Sequence, residues 1–165
     1  MERLWSPWRY HYVTTAVERS ECVFCEAPQR PDAPLVVHRG VHAYVILNLY
    51  PYNSGHLMVV TNRHVDSFGA ATREERAELI ELTRLAEAAL FEVYCPQGLN
   101  VGVNLGRPAG AGVVGHLHVH LVPRWNGDTN FMSVVGEVRV LPEDLERSAE
   151  RLRPVFGRLA AEEAV

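Results

Sequence analysis

Residues 115–125 read Gly-His-Leu-His-Val-His-Leu-Val-Pro-Arg-Trp, with histidines at positions 116, 118 and 120. Successive side chains of a β-strand point to opposite faces, so the three imidazoles share one face and the intervening apolar residues bury the other. A single histidine on such a strand is commonly a core residue with a satisfied hydrogen bond. Because each buried imidazole that lacks a partner costs about 1–3 kcal/mol, three in register predict a functional strand.

The three histidines suit phosphoryl chemistry. A neutral imidazole is a nucleophile at pH 7 and can attack phosphorus to form a covalent phosphoramidate. The attacking nitrogen must be unprotonated, so the other ring nitrogen has to donate its hydrogen to an acceptor such as a main-chain carbonyl. Neighbouring imidazoles then serve as donors to phosphate oxygens or to the leaving group. The competing interpretation is a zinc hydrolase whose histidines hold a catalytic metal.

The segment before the histidines, residues 104–115, contains four glycines. Glycine allows a ligand to approach backbone N–H groups, and consecutive N–H groups can bind a phosphate oxygen. Such a loop is more often a simple turn, and its position directly before the histidine strand is what favours a phosphate site. No acidic residue lies between Glu92 and Asp128, whereas Arg107 and Arg124 do, which suits an anionic ligand.

Cys22 and Cys25 have the spacing that supplies half of a tetrahedral zinc site. The sequence has no second pair of this kind, so the missing ligands are expected to be histidines, with His64 and His116 the best candidates. A redox motif is an alternative, but such motifs usually open a helix after a strand, a pattern that is not evident here. Two inert buried thiols are the third interpretation. Cys95 is expected to be a small core residue.

Composition sets the broad class of the protein. With 165 residues the chain suffices for one domain whose core needs no disulfides. Its three cysteines make no disulfide framework, and no membrane span or signal peptide is evident, so a cytoplasmic protein is expected. A net charge of −4 argues against a general nucleic-acid surface. All 16 basic residues are arginine, which excludes lysine Schiff bases and the phosphate-loop lysine.

The hydrophobic pattern predicts an α+β fold with one antiparallel sheet of about five strands, a long helix and a C-terminal helix. A long helix is expected over residues 73–94, where Thr72 and Glu75 form a capping-box pattern. An amphipathic helix is expected over 142–161, and an aromatic arm over 1–20. The expected strands are residues 35–38, 43–47, 56–60, 99–104 and the histidine segment.

The alternation of histidine and apolar residues through 116–122 resembles the histidine-triad (HIT) superfamily of nucleotidyl hydrolases and transferases. Residues 55–60 resemble its second histidine segment, and Ala109-Gly110 matches its phosphate loop. The resemblance implies a HIT-like fold in a single domain over residues 1–165. Its parts would be an arm at 1–20, a HIT core at 22–125 and a C-terminal extension and helix at 126–165.

The resemblance also implies roles for individual residues. His118 would be the nucleophile that takes the nucleoside monophosphate, and His120 and His56 would contact phosphate oxygens and the leaving group. Asn48 would bind the ribose. The phosphates would be held by His120, Asn104 and the backbone of Gly110, Ala111, Gly112 and Val113.

A structural zinc site is implied by the same resemblance. The set Cys22, Cys25, His64 and His116 resembles the zinc ligands of many bacterial members. His116 keeps three possible roles, as a zinc ligand, as a donor to the substrate, or as the residue whose carbonyl orients His118. The resemblance further implies a homodimer formed through the long helix and an adjacent strand.

Residues 4–10 and 123–131 resemble one bacterial branch of the family, the diadenosine tetraphosphate phosphorylases. Hydrolase branches usually carry Gln followed by Ser or Thr after the loop's Ala-Gly, where this chain has Ala111-Gly112. The expected reaction is cleavage of a dinucleoside polyphosphate, with inorganic phosphate attacking the nucleotidylated His118. The alternatives are a nucleoside phosphoramidate or dinucleotide hydrolase that uses water, and a non-catalytic zinc- and nucleotide-binding module.

Overall fold

The computed structural model describes residues 22–30, 33–128 and 143–163. The expected aromatic arm at 1–20 lies outside the described residues, and so does the segment 129–142. Of the two stretches that resemble the phosphorylase branch, residues 4–10 therefore lie outside entirely, and residues 123–131 lie outside in part, from 129 onward.

A five-stranded sheet and three α-helices make up the described part of the chain. The strands are β1 (Val36–Arg39), β2 (Ala43–Leu47), β3 (Leu57–Thr61), β4 (Gly98–Gly102) and β5 (His118–Arg124). The helices are α1 (Val23–Glu26), α2 (Arg73–Tyr94) and α3 (Leu145–Glu163). The strand order is β1-β2-β3-β5-β4, with antiparallel neighbours throughout, which confirms the predicted fold class. No helix in the described ranges is both long and apolar enough to cross a bilayer.

Helix α2 has the boundaries that its sequence predicts. The Thr72 hydroxyl accepts the N–H of Glu75, and the Glu75 carboxylate accepts the N–H of Thr72, so two amides at the helix start are satisfied. Arg63 donates two further hydrogen bonds of 2.8 Å to the same carboxylate. The bonds from Arg63 and Thr72 lower the pKa of Glu75 to about 2. The start of α2 is thereby joined to the loop after β3.

The two faces of the sheet are covered differently. Helices α2 and α3 pack on one face, where alternate residues of the strands, and Leu117 just before β5, form the main apolar core. The strand residues include Val45, Leu57, Val59, Val119 and Leu121. On the other face, Tyr44, Ile46, Met58 and Val60 pack with Phe24 of α1. The alternation predicted for the histidine strand is confirmed, because Leu117, Val119 and Leu121 face the helices and His118 lies against Phe24.

The prediction that Cys95 belongs to the core is wrong, because its side chain is exposed. Helix α2 ends at Tyr94, and Cys95 adopts a left-handed backbone conformation with φ of 46°. A residue in that conformation terminates the helix, so the spacing of the apolar stripe no longer determines its burial. Strand β5 also begins later than expected, at His118, which leaves His116 in the segment that leads into the strand.

Candidate active site and metal centre

His118 lies at the start of β5 and is only 3% exposed. Its Nδ1 donates a hydrogen bond of 2.7 Å to the carbonyl oxygen of His116. This bond places the ring hydrogen on Nδ1 and leaves an electron pair on Nε2. Burial lowers the pKa of His118, and the bond to His116 opposes that shift only in part, so the neutral ring is favoured. His118 therefore has the tautomer that nucleophilic attack requires.

Two other rings pack on the imidazole of His118. The ring of Phe24 has its centroid 4.9 Å away, and the ring of His120 lies at the same distance with an interplanar angle of 76°. The buried hydroxyl of Tyr44 donates a hydrogen bond of 2.7 Å to the carbonyl of Phe24. Helix α1 is thus held against the sheet with Phe24 resting on the histidine, which restricts rotation of its ring.

His56 and His120 form a hydrogen-bonded pair with a defined direction. The backbone N–H of Tyr52 donates to Nδ1 of His56 at 3.0 Å, so that nitrogen is an acceptor. Nε2 of His56 then carries the ring hydrogen and donates it to Nδ1 of His120, also at 3.0 Å. His120 consequently holds its own hydrogen on Nε2. The pair presents an N–H donor next to His118, as the division of roles among the histidines requires.

The two asparagines predicted to bind the substrate are placed differently. The side-chain nitrogen of Asn48 lies 3.3 Å from Nδ1 of His56, and its oxygen accepts the N–H of Tyr50 at 3.0 Å. Asn48 is therefore part of the site around His56. Asn104 is half-buried just before the glycine-rich loop, and no hydrogen bond within the described residues joins it to the histidines.

The glycine-rich loop uses part of its backbone for its own fold. The amides of Gly110 and Ala111 donate to carbonyls within the loop at 3.0 and 3.4 Å. Gly112 is exposed, and Val113 packs at the edge of the cluster that contains Phe24. Among the four predicted phosphate-binding amides, those of Gly112 and Val113 make no hydrogen bond within the described residues.

The four predicted metal ligands are brought together. The ligand atoms of Cys22, Cys25, His64 and His116 all lie within 4.8 Å of one another. Nδ1 of His116 is 3.3 Å from Sγ of Cys22 and 3.6 Å from Sγ of Cys25, and Nδ1 of His64 is 3.4 Å from Sγ of Cys25. Sulfur and nitrogen ligands on one tetrahedral ion, at bond lengths of about 2.3 and 2.0 Å, are separated by about 3.5 Å. The group therefore fits one metal ion.

His116 is prepared for a metal by its outer hydrogen bond. Its Nε2 donates to the carbonyl of Thr61 at 2.7 Å, which leaves the electron pair of Nδ1 directed at the cysteines. Burial lowers the pKa of His116 and raises the pKa of the Cys25 thiol, the latter also raised by Cys22. A bound cation would favour the neutral imidazole and the thiolate, which are the ligating forms.

His116 belongs both to the group of metal ligands and to the histidine site around His118. Its ring faces the two cysteines, and its carbonyl oxygen accepts the hydrogen of His118 Nδ1. Two of the three roles that the sequence left open, metal ligand and orienting carbonyl, are therefore compatible in one residue. The residues that sequence reasoning missed are Phe24, Tyr52 and Thr61. Tyr52 and Thr61 act through backbone atoms, which every residue type has, so the sequence does not mark them. Phe24 lies between the two cysteines in the sequence, and this position could have indicated that it lies near the site.

The chain was compared with known proteins. The HIT domain matches residues 32–127. An AP-4-A phosphorylase from Mycobacterium tuberculosis is 44% identical over 167 residues, which cover 96% of this chain and 86% of the relative. A zinc-bound histidine triad family protein from Mycobacterium smegmatis is 29% identical, with a TM-score of 0.69 over 86% of this chain and 97% of the other.

A diadenosine triphosphate hydrolase from Plasmodium falciparum has a TM-score of 0.63 over 93% of this chain and 97% of its own. It is 15% identical, and this likeness concerns the fold alone. The HIT match over more than half of the chain and the relative with 44% identity together establish the family. The chain belongs to the HIT family, the histidine-triad proteins, and is an enzyme of that family.

Proposed function

We propose that the protein cleaves dinucleoside polyphosphates, diadenosine tetraphosphate above all, through a covalent nucleotidyl intermediate on His118. The observation that carries this proposal is the tautomer of His118, whose Nδ1 bonds to the His116 carbonyl at 2.7 Å and whose Nε2 is left to attack phosphorus. The relative with 44% identity, named AP-4-A phosphorylase, supports this choice of substrate and the use of phosphate as acceptor.

The reaction proceeds in two displacements. In the first, Nε2 of His118 bonds to the α-phosphorus while the bond from that phosphorus to the bridging oxygen breaks, and ATP leaves with the electron pair on that oxygen. The N–H of His120 stabilises the leaving oxygen. In the second, an oxygen of inorganic phosphate bonds to the same phosphorus, the P–N bond breaks, and the electron pair returns to Nε2. Diadenosine tetraphosphate and phosphate thus yield ATP and ADP.

Substrate contacts are assigned to residues on the histidine face. Asn48, beside His56, binds the ribose. The backbone amides of Gly112 and Val113 bind phosphate oxygens, with Gly110, Ala111 and Asn104 shaping that end of the site. The support for these assignments is the proximity of Asn48 to His56 and the position of Val113 next to the Phe24 cluster.

Zinc is the metal that suits two thiolates and two imidazoles, and four protein ligands make a closed structural site. Bound there, zinc would link α1, the loop after β3 and the segment before β5. A catalytic metal would instead need an open position near His118 and His120. However, Nδ1 of His118 bonds to the His116 carbonyl, and Nδ1 of His120 bonds to His56. Neither histidine belongs to the one metal-binding group found in the described ranges. This favours the nucleophilic mechanism.

A homodimer is part of the proposal. Strand β4 lies at the edge of the sheet, and Val101 on it is 52% exposed. On α2, Ile80 and Phe91 are 59% and 43% exposed. Apolar side chains left in solvent on a long helix and an edge strand suit a subunit interface. Light scattering should therefore give twice the chain mass of 18.5 kDa.

The first experiment incubates the purified protein with diadenosine tetraphosphate, with and without inorganic phosphate, and separates AMP, ADP and ATP by anion exchange. ATP and ADP in equal amounts, formed only with phosphate, are the expected products. AMP and ATP formed regardless of phosphate would show that water is the acceptor and that the enzyme is a hydrolase. Nucleotide binding without turnover would contradict the proposal in favour of a binding module.

A further inference from the structure

A nearly buried carboxylate fastens the end of β5 to the turn that carries His56. Asp128 accepts hydrogen bonds from Nε and Nη2 of Arg124 at 2.6 and 3.0 Å, and from the side-chain nitrogen of Asn53 at 2.9 Å. It also accepts the backbone N–H of Trp125 at 3.2 Å. The Asp128 side chain is 9% exposed, so these donors replace the water that would otherwise solvate its charge.

Asn53 connects this carboxylate to the catalytic histidines. Its side-chain nitrogen also donates to the carbonyl of Pro123 at 3.0 Å, which ties it to β5. Its own carbonyl accepts the N–H of His56 at 3.2 Å. The residue before it, Tyr52, donates the amide that bonds to Nδ1 of His56. The placement of Asn53 therefore affects two of the main-chain contacts of His56, the bond to its own carbonyl and the bond from the Tyr52 amide.

The amide of Tyr52 is the shortest hydrogen-bond donor to Nδ1 of His56 and favours the tautomer that has its hydrogen on Nε2. If it moves away, Nδ1 of His56 loses its shortest donor and keeps the longer contact of 3.3 Å to the side-chain nitrogen of Asn48. The two tautomers of His56 then become closer in free energy. With its hydrogen on Nδ1, His56 could only accept at Nε2, and Nδ1 of His120 would have to carry the hydrogen. His120 would then offer an electron pair at Nε2 where the leaving oxygen needs a donor.

We propose that Asp128 is a positioning residue of this site. Through Asn53 it holds the Tyr52 amide against His56. This contact keeps His56 and His120 in the tautomers that present a hydrogen to the leaving oxygen. The part of this inference that concerns catalysis rests on the proposed function. The tautomer itself is a property of the protein without substrate and can be measured separately.

Three variants of the full-length protein test the inference. Asp128→Asn keeps the side-chain shape but removes the charge and turns one acceptor into a donor that faces Arg124 or Asn53. Asn53→Ala removes the link and leaves the pair of Arg124 and Asp128 in place. The control is Asn100→Ala, because Asn100 accepts another hydrogen bond of Arg124, from Nη1 at 2.9 Å, and does not contact Asn53.

Two measurements are made on each variant. Long-range proton–nitrogen NMR spectra of the histidine side chains report which ring nitrogen carries the hydrogen, and steady-state kinetics with diadenosine tetraphosphate separate kcat from KM. For Asp128→Asn and Asn53→Ala we expect kcat to fall roughly 10- to 100-fold with KM within twofold, and the Nε2–H pattern of His56 and His120 to be lost. The double variant should be no slower than either single one. Asn100→Ala should match the wild type.

The opposite results are equally clear. Wild-type histidine spectra in a folded Asp128→Asn or Asn53→Ala protein would overturn the inference, and so would a rise in KM at constant kcat. If Asp128→Asn does not fold, Asn53→Ala decides alone, since it deletes only an amide. A wild-type protein that fails to cleave the substrate, with variants whose histidine spectra still change, would contradict the proposed function and leave the role of Asp128 supported.

Discussion

The two faces of the sheet are built from alternate residues of the same strands, yet different forces hold them together. Towards α2 and α3, Val59 and Leu121 are fully buried among apolar side chains, and what matters is the volume they fill. Towards α1, His118 and His120 each bond to a particular atom, one a main-chain carbonyl and the other a second imidazole. Substitutions on the first face are expected to change stability, whereas the chemistry of the second face depends on which ring nitrogen of each histidine carries a hydrogen.

The largest expected effect comes from the histidine face. His118→Asn removes the proposed nucleophile and should lower kcat by more than about 1,000-fold, because the covalent intermediate forms on that ring. The thermal midpoint should change by only a few degrees, since the helix-covered core is untouched. The matched control is His38→Asn on β1, which stacks on Phe156 away from the site and should keep its activity. Near-normal turnover in His118→Asn would contradict the assignment.

The next effect concerns the metal centre. Cys25→Ser should lower the metal content from about one ion per chain to near zero, measured by mass spectrometry, and should lower the thermal midpoint by about 2–4 °C for each kcal/mol lost. Cys95→Ser is the control, because that thiol is exposed and lies outside the ligand group. A Cys25→Ser protein that retains its full metal content would show that the cluster is not the metal site.

A matched pair of core substitutions compares the two faces directly. Val59 and Val60 are adjacent and both 0% exposed, but Val59 faces the helices, and Val60 pairs with His118 across the strands. Each change to Ala should cost about 1–3 kcal/mol of unfolding free energy in urea titrations. Val60→Ala alone should also lower kcat several-fold. Val41→Ala, at a position 78% exposed, should change neither quantity; equal kcat values in all three variants would remove the proposed distinction.

The smallest effect is a pH dependence of stability at the start of α2. The pKa of Glu75 is lowered to about 2 in the folded protein, from a usual value of 4.5, chiefly by its bonds to Arg63. The unfolded chain therefore binds this proton first as the pH falls, and the contribution of Glu75, present above pH 4.5, is lost between about pH 4.5 and 2. Urea titrations from pH 6 to 3 should show a flatter loss of stability in Glu75→Gln than in the wild type; parallel curves would contradict this.

Much of the fold could be read from the sequence because it depends on local periodicity. The boundaries of α2 and β2 match their predicted ranges, since the capping box and leucine stripe of α2 and the continuous apolar run of β2 are local signals. The metal ligands could also be predicted, because Cys22 and Cys25 supply half of a tetrahedral site and the sequence has no second such pair, which favours histidines as the other ligands. The error at Cys95 arose where that periodicity ends, at a left-handed residue that no pattern marks.

The sequence by itself determined which residue types face each other: the histidines on one side of β5, the leucines and valine on the other, and the paired thiols that select a metal. Only the tertiary structure decided the hydrogen positions within the site. These depend on the carbonyls of His116 and Thr61 and the amide of Tyr52, groups that every residue type offers alike. They depend also on Asn53 and Asp128, which are 75 positions apart and are joined only when β5 pairs beside β3.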